Sequence, residues 1–337
     1  MKHAQTRRHW LASAAGGLLG LAGPAWGTVP PPPESPAPQD GSWTDAARQR
    51  TVPWRLRLPA APMAATPTAV WPLVVYSHGL GGSREGAALW GQAWAADGVA
   101  VLHLDHAGSN AVTARAGLRA LRQAASAEQL RMRVADIRFA LDQLQRLADQ
   151  GMAPWAAMRL DALGVAGHSF GAHTVQAVAG QRYAVAAELT DPRPKAFIAF
   201  SPSQPAGEGM ALQESFGGIT RPFMAVTGSL DGDPFGRYDS GAPRAAVYDG
   251  LPPGQRALLW LDGADHMTFG GGRPDGVGTR ALRRRPAAAV QAQPAHQAVV
   301  AQITALWWRA HLLGDTAARQ ALLRPQGLGA KDRFMLG

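Results

Sequence analysis

Short, almost wholly apolar runs alternate along this chain with longer amphipathic ones, and that alternation restricts the possible fold more than any other feature. The runs are 71–77, 98–104, 163–166, 196–200, 223–226 and 257–261. A strand without a polar face has to be covered on both sides, as in a parallel sheet between helices. Residues 52–58 alternate apolar and polar side chains instead, as a half-buried strand does. Between the runs lie helical patterns. Leu130, Val134, Ile137, Leu141 and Leu144 recur every three or four residues across 126–149, with Ser126 and Gln129 spaced as a capping box and Gly151 just beyond the end. A second apolar helix is predicted over 295–313, through Val299, Ile303, Leu306, Trp307 and Leu313. Strands alternating with helices predict the α/β class, a mostly parallel sheet sandwiched by helices. No internal repeat is present.

The chain has 337 residues, of which 46% are hydrophobic and 17% charged, so it has the apolar surface to bury a core. The formal charge of +9 is carried by arginine, since Lys2, Lys195 and Lys331 are the only lysines. The arginines are scattered apart from Arg283, Arg284 and Arg285 and form no stripe interleaved with aromatics, which argues against nucleic acid as a partner. The absence of cysteine excludes a disulfide scaffold, a thiolate zinc site and a cysteine nucleophile.

The N-terminus has the composition of a targeting segment. Lys2, Arg7 and Arg8 precede a mild apolar stretch from Trp10 to Ala25, and Ala25 and Gly27 supply the small residues that a signal peptidase reads. Arg7-Arg8 resembles the twin-arginine export signal, with Trp10 where that pattern usually has Phe. The expected organisation is an export signal at 1–27, a Pro-rich linker at 28–49, one domain at 50–315 and a C-terminal tail at 316–337. Residues 270–294, rich in Gly, Pro and Arg, are expected to be an irregular excursion. The expected partner in secretion is the twin-arginine machinery, and the expected location is periplasmic or extracellular.

The chemistry centres on Gly167-His168-Ser169-Phe170-Gly171, which follows an apolar strand and opens an apolar helical stretch. In that context Ser169 sits at a sharp strand-to-helix turn with its hydroxyl raised. Side chains at 167 and 171 would collide with neighbouring backbone. The amide of Phe170, at a helix N-terminus, points toward an attacked carbonyl. The glycine-rich loop Ser77-His78-Gly79-Leu80-Gly81-Gly82 follows another strand, and the amide of Leu80 is the natural partner of Phe170 in an oxyanion hole. The loop lacks Gly-Lys-Ser/Thr and Gly-x-Gly-x-x-Gly, which disfavours nucleotide binding.

A serine hydroxyl needs a base, and the base an orienting acid. Downstream of Ser169 the histidines are His173, His266, His296 and His311. His173 lies one turn along the same helix, and His296 and His311 sit at the ends of a helical pattern. His266 follows the last apolar strand, where a base reaches back over Ser169. The acid is Asp231 or Asp233, both in the loop after 223–226, and the spacing through Gly228 favours Asp231. Asp262 and Asp265 read as loop or surface carboxylates. His78, His103, His106, His168 and His173 show no His-x-x-x-His pair with a third carboxylate, so no metal is expected.

Several further segments occur in a familiar order: Leu104-Asp-His-Ala-Gly-Ser-Asn110, Arg133-Val-Ala-Asp-Ile-Arg-Phe-Ala-Leu-Asp-Gln-Leu144 and Phe200-Ser-Pro-Ser203. With the motifs above, residues 50–315 resemble the α/β-hydrolase superfamily. The likeness is to its platelet-activating-factor-acetylhydrolase and dienelactone-hydrolase-like branch of exported bacterial serine esterases. The resemblance implies Ser169 as nucleophile, His266 as base, Asp231 as acid, and Leu80 and Phe170 as oxyanion amides. It implies hydrolysis of a small-molecule or lipid-like carboxylic ester through an acyl-enzyme, without a cofactor. Dienelactone hydrolases themselves use a cysteine nucleophile, which this chain lacks. The competing expectations are a lipase or polyester depolymerase on the same site, and a non-catalytic binding protein that kept the fold.

Overall fold

The apolar runs assemble into one sheet of nine strands, in the order β1-β2-β4-β3-β5-β6-β7-β8-β9, among the described residues. The computed structural model describes residues 35–60, 71–183, 189–203, 209–272 and 285–337. The expected export signal at 1–27, the start of the expected linker and the Arg-rich centre of the expected excursion lie outside them. The strands are β1 (Gln39–Asp45), β2 (Arg50–Arg57), β3 (Trp71–Ser77), β4 (Ala100–Leu104), β5 (Met158–His168), β6 (Ala196–Phe200), β7 (Phe223–Leu230), β8 (Arg256–Asp265) and β9 (Arg333–Leu336). Strands β3 to β8 run parallel, while β1, β2 and β9 join antiparallel at the two edges.

The helices are α1 (Ala88–Ala96), α2 (Ala111–Arg115), α3 (Leu118–Ala124), α4 (Ala127–Asp149), α5 (Phe170–Ala179), α6 (Leu212–Phe216), α7 (Ala242–Ala245), α8 (Val247–Gly250), α9 (Ala287–Leu312) and α10 (Thr316–Leu323). Side chains on a strand alternate between faces, so each apolar strand feeds two cores. Leu73 and Val75 of β3 pack with Val134, Ile137 and Leu141 of α4 and Val175 of α5. Val74 and Tyr76 of the same strand pack on the opposite face with Trp90 and Trp94 of α1 and Ile303, Trp307 and Trp308 of α9. Ser126 caps α4 as its spacing predicts, its hydroxyl accepting from the Gln129 amide at 3.2 Å.

The domain is wider than its sequence boundaries. β1 lies inside the stretch read as linker, and α10 and β9 lie inside the stretch read as tail. Both added strands are edge strands with largely exposed side chains, so neither has the apolar signature of a central strand. α9 begins at Ala287, eight residues before the predicted start, and so takes the last third of the expected excursion. Its first turns are Ala and Gln with Pro294 and the single valine Val290, which make no apolar stripe.

Candidate active site

The turn between β5 and α5 is a single residue, Ser169. Its backbone sits at φ 56° and ψ −116°, the positive-φ region that a side chain disfavours by roughly 1–3 kcal/mol. The surroundings compel it. The Ser169 amide donates to the Phe200 carbonyl at 2.9 Å, and its carbonyl accepts from the His173 amide at 3.2 Å. Glycine on either side is required by close approach. A Cβ on Gly167 would lie 2.8 Å from the Ser77 carbonyl oxygen, and one on Gly171 would run into that same oxygen. The loop leaving β3 is equally close: a Cβ on Gly79 would sit 3.4 Å from Ser169 Cβ and 3.2 Å from His168 Nδ1. The Leu80 loop and the Ser169 turn therefore lie against each other, with Ser169, Phe170 and Leu80 all partly exposed.

The next strands deliver the base and acid. His266 follows β8 directly, and Asp231 follows β7. His266 Nδ1 donates to Asp231 Oδ1 at 2.8 Å, which leaves Nε2 as the basic nitrogen. Asp231 is fully buried and accepts from Thr227 Oγ1 at 2.8 Å; Arg244 Nε lies 3.0 Å from its Oδ1. Burial alone would raise its pKa. The Arg244 charge and the His266 hydrogen bond outweigh that and hold the carboxyl down at about 2.

Arg244 is itself buried, and it knits the loops together. It donates to the carbonyls of Asp231 at 2.8 Å, Ser201 at 2.8 Å and Gly232 at 3.1 Å. Asp233 takes a different part. It accepts from the amides of Phe235 and Arg237 at 3.0 and 3.2 Å, and pairs with the Arg237 guanidinium at 2.8 Å. Of the two candidate acids, the fold turns Asp231 toward His266 and spends Asp233 on its own turn.

His168 ties the base to the serine turn. Its Nε2 donates to the His266 carbonyl at 3.0 Å, and the two rings pack with centroids 4.6 Å apart. Burial, with His266 beside it, lowers its pKa to about 3, so it is a neutral donor. Asp265 is buried rather than at the surface. It accepts from Thr268 at 2.9 Å and from Arg285 at 2.7 Å, which fixes the turn after His266. The remaining histidines lie outside the pair: His173 bonds Ser203 at 2.6 Å, His311 packs on Trp307, and His296 sits within α9. Among the described residues, no group of three or more His, Asp or Glu is placed to hold a metal ion.

The parallel sheet, the strand–serine–helix turn, the glycine loop against it and the His–Asp pair from the following strands have the arrangement of the α/β-hydrolase fold. Within that class, residues 55–138 match the family model described as platelet-activating factor acetylhydrolase, isoform II. The match supports the platelet-activating-factor-acetylhydrolase-like branch, and with it a hydrolase acting on esters. It includes the Leu80 loop and ends before Ser169, Asp231 and His266. No curated protein matches the chain.

His168 and Arg244 escaped the sequence reading as site residues. His168 is adjacent to Ser169 by position, but its partner lies 98 residues on. Arg244 is one arginine among many, and nothing in its neighbours marks it.

Proposed function

We propose that the chain is a serine esterase that cleaves carboxylic esters through an acyl-enzyme. Ser169 Oγ attacks the ester carbonyl carbon while His266 Nε2 takes its proton. The amides of Leu80 and Phe170 hold the oxyanion of the tetrahedral intermediate. Collapse expels the alcohol, which leaves with the proton from His266, and the acyl group stays on Ser169. Water then attacks the acyl-enzyme with the same base assisting, and the acid is released. Asp231 keeps His266 in the tautomer whose Nε2 is basic and stabilises the imidazolium in each half-reaction.

The observation that carries this reading is the 2.8 Å His266–Asp231 hydrogen bond, anchored to the Ser169 turn through His168. The family match over 55–138 adds independent support for ester substrates, small or lipid-like. The test is hydrolysis of short-chain aryl esters by the wild type and by Ser169→Ala. The variant should fold normally and lose kcat by roughly 10⁴–10⁶-fold, since removing one member of such a unit removes most of its effect. Equal turnover by the two proteins would refute the assignment.

A further inference from the structure

One buried side chain touches every segment that shapes the oxyanion hole. Arg133, on α4, is fully buried. Its Nη2 donates to the His78 carbonyl and, at 3.1 Å, to Ser77 Oγ. Its Nη1 donates to Ser109 Oγ at 2.9 Å, and the Ser109 carbonyl in turn accepts from the Gly81 amide at 2.8 Å. Leu80 is thus held from both sides, through His78 before it and Gly81 after it.

The same guanidinium reaches the other half of the hole. Its Nε donates to Thr174 Oγ1 at 3.1 Å, and that hydroxyl donates to the Phe170 carbonyl at 3.0 Å. Its carbon also stands 4.8 Å from the centre of the Phe170 ring, close enough for a cation–π contact.

A second chain of hydrogen bonds braces this arrangement. Ser77 Oγ donates to His106 Nε2 at 3.0 Å, and His106 Nδ1 donates to Asp136 Oδ2 at 3.0 Å. This repeats the order of a hydrolytic triad, yet Ser77, His106 and Asp136 are all fully buried, with Arg133 donating to the serine. No substrate reaches it, so it is a strut. Asp136 sits one helical turn after Arg133 and is anchored by Arg48 at 2.8 Å and Arg50 at 2.7 Å, near the β1–β2 edge. His78 closes the frame, accepting from the His106 amide at 3.0 Å and donating to the Gly79 carbonyl at 2.7 Å.

We propose that Arg133 is a positioning residue that fixes the Leu80 and Phe170 amides relative to each other, with Ser77–His106–Asp136 as its brace. The proposal rests on the reading of those amides as the oxyanion hole. Only a planar donor with several fixed N–H groups serves the Ser77, His78, Ser109 and Thr174 acceptors at once, and a lysine ammonium cannot.

The test uses Arg133→Lys and Thr174→Val in the full chain, with active sites counted by fluorophosphonate titration so that only folded enzyme enters kcat. Per titrated site, kcat should fall about 10- to 100-fold at nearly unchanged KM, a fraction of the effect of losing an oxyanion donor outright. Affinity for a trifluoromethyl ketone, whose adduct places an oxyanion in the hole, should fall by a similar factor. A purely structural role would lower the number of titratable sites and leave both per-site quantities alone. If Arg133→Lys does not accumulate as folded protein, Thr174→Val decides, since it keeps the side-chain shape and removes the hydroxyl that joins Arg133 Nε to the Phe170 carbonyl. Per-site kcat and ketone affinity within twofold of wild type in the folded variants would overturn the proposal. A wild type that neither labels at Ser169 nor binds the ketone would instead remove the esterase reading, and the proposal with it.

Discussion

At Asp231 two opposed effects meet. Burial disfavours its charge, and Arg244 together with the His266 hydrogen bond restores it. Its carboxyl is therefore held ionised well below the usual carboxylate range. Its Oδ1 accepts the proton on His266 Nδ1, beside Arg244 Nε, while its Oδ2 accepts from Thr227. Asp231→Asn offers an amide in place of that acceptor and leaves His266 free to take the wrong tautomer. Turnover should drop by about 10⁴, as in a comparable triad, while Asp233→Asn, which disturbs only the turn around Arg237, should cost activity little. Steady-state kinetics on one aryl ester decides, and a reversed pair of results would make Asp233 the acid. The placement of Ser169 at the β5–α5 turn and of His266 just after β8 was legible from the sequence, because a turn motif and a position after the last strand are local properties. Asp231 against Asp233 was left as a preference. The two carboxylates are told apart by tertiary partners: His266 and Arg244 meet Asp231, while Arg237 and its turn hold Asp233.

Among the elements, the β5–α5 turn works through crowding. α5 starts so close to β3 that a Cβ at position 171 would meet the Ser77 carbonyl. Gly171→Ala must therefore push α5 off the sheet or displace the Leu80 loop. It should lower stability by about 1–3 kcal/mol, as overpacking does, seen as a reduced urea midpoint, and should reduce activity beyond the loss of folded protein. A variant with wild-type midpoint and activity would mean that the close approach is not structurally required. The glycines of this motif and the cap at Ser126 were readable because each follows from local geometry. The edge strands β1 and β9 were not. They are exposed, and their evidence is tertiary: Trp43 of β1, for example, packs against Trp54 and Trp155 with centroids 5.3 Å from each.

Taken as a whole, the molecule buries neutral histidines around its site. His78, His103, His106, His168 and His173 are all held below the ordinary histidine pKa, chiefly by burial and then by neighbouring arginines or histidines. His103, His168 and His173 are pushed down to about 3 and His106 to about 4. Their folded pKa values lie below the unfolded value of about 6.5, so the unfolded chain takes up protons that the folded chain refuses. This stabilisation is complete above pH 6.5 and is lost as pH falls through 4 for His106 and on toward 3 for His103, His168 and His173, at about 1.4 kcal/mol per pH unit for each proton. Urea unfolding at pH 8, 6 and 5 should show a steep decline below 6.5, approaching several protons in slope. Stability that is flat from pH 7.5 to 5 would contradict the buried, neutral assignment. The sequence shows ten histidines but not which are enclosed. Their neighbours come from distant segments: His106 for His78, Asp136 for His106, Tyr76 for His103, His266 for His168 and Ser203 for His173.

The account as a whole stands on a reactive Ser169, and the most direct measurement is covalent. The wild type is incubated with a fluorophosphonate, digested and mapped by mass spectrometry. The prediction is one label per chain, on the peptide carrying Gly167-His168-Ser169-Phe170-Gly171, and none in Ser169→Ala. A wild type that remains unlabelled, or a label on another serine that persists in Ser169→Ala, would contradict it.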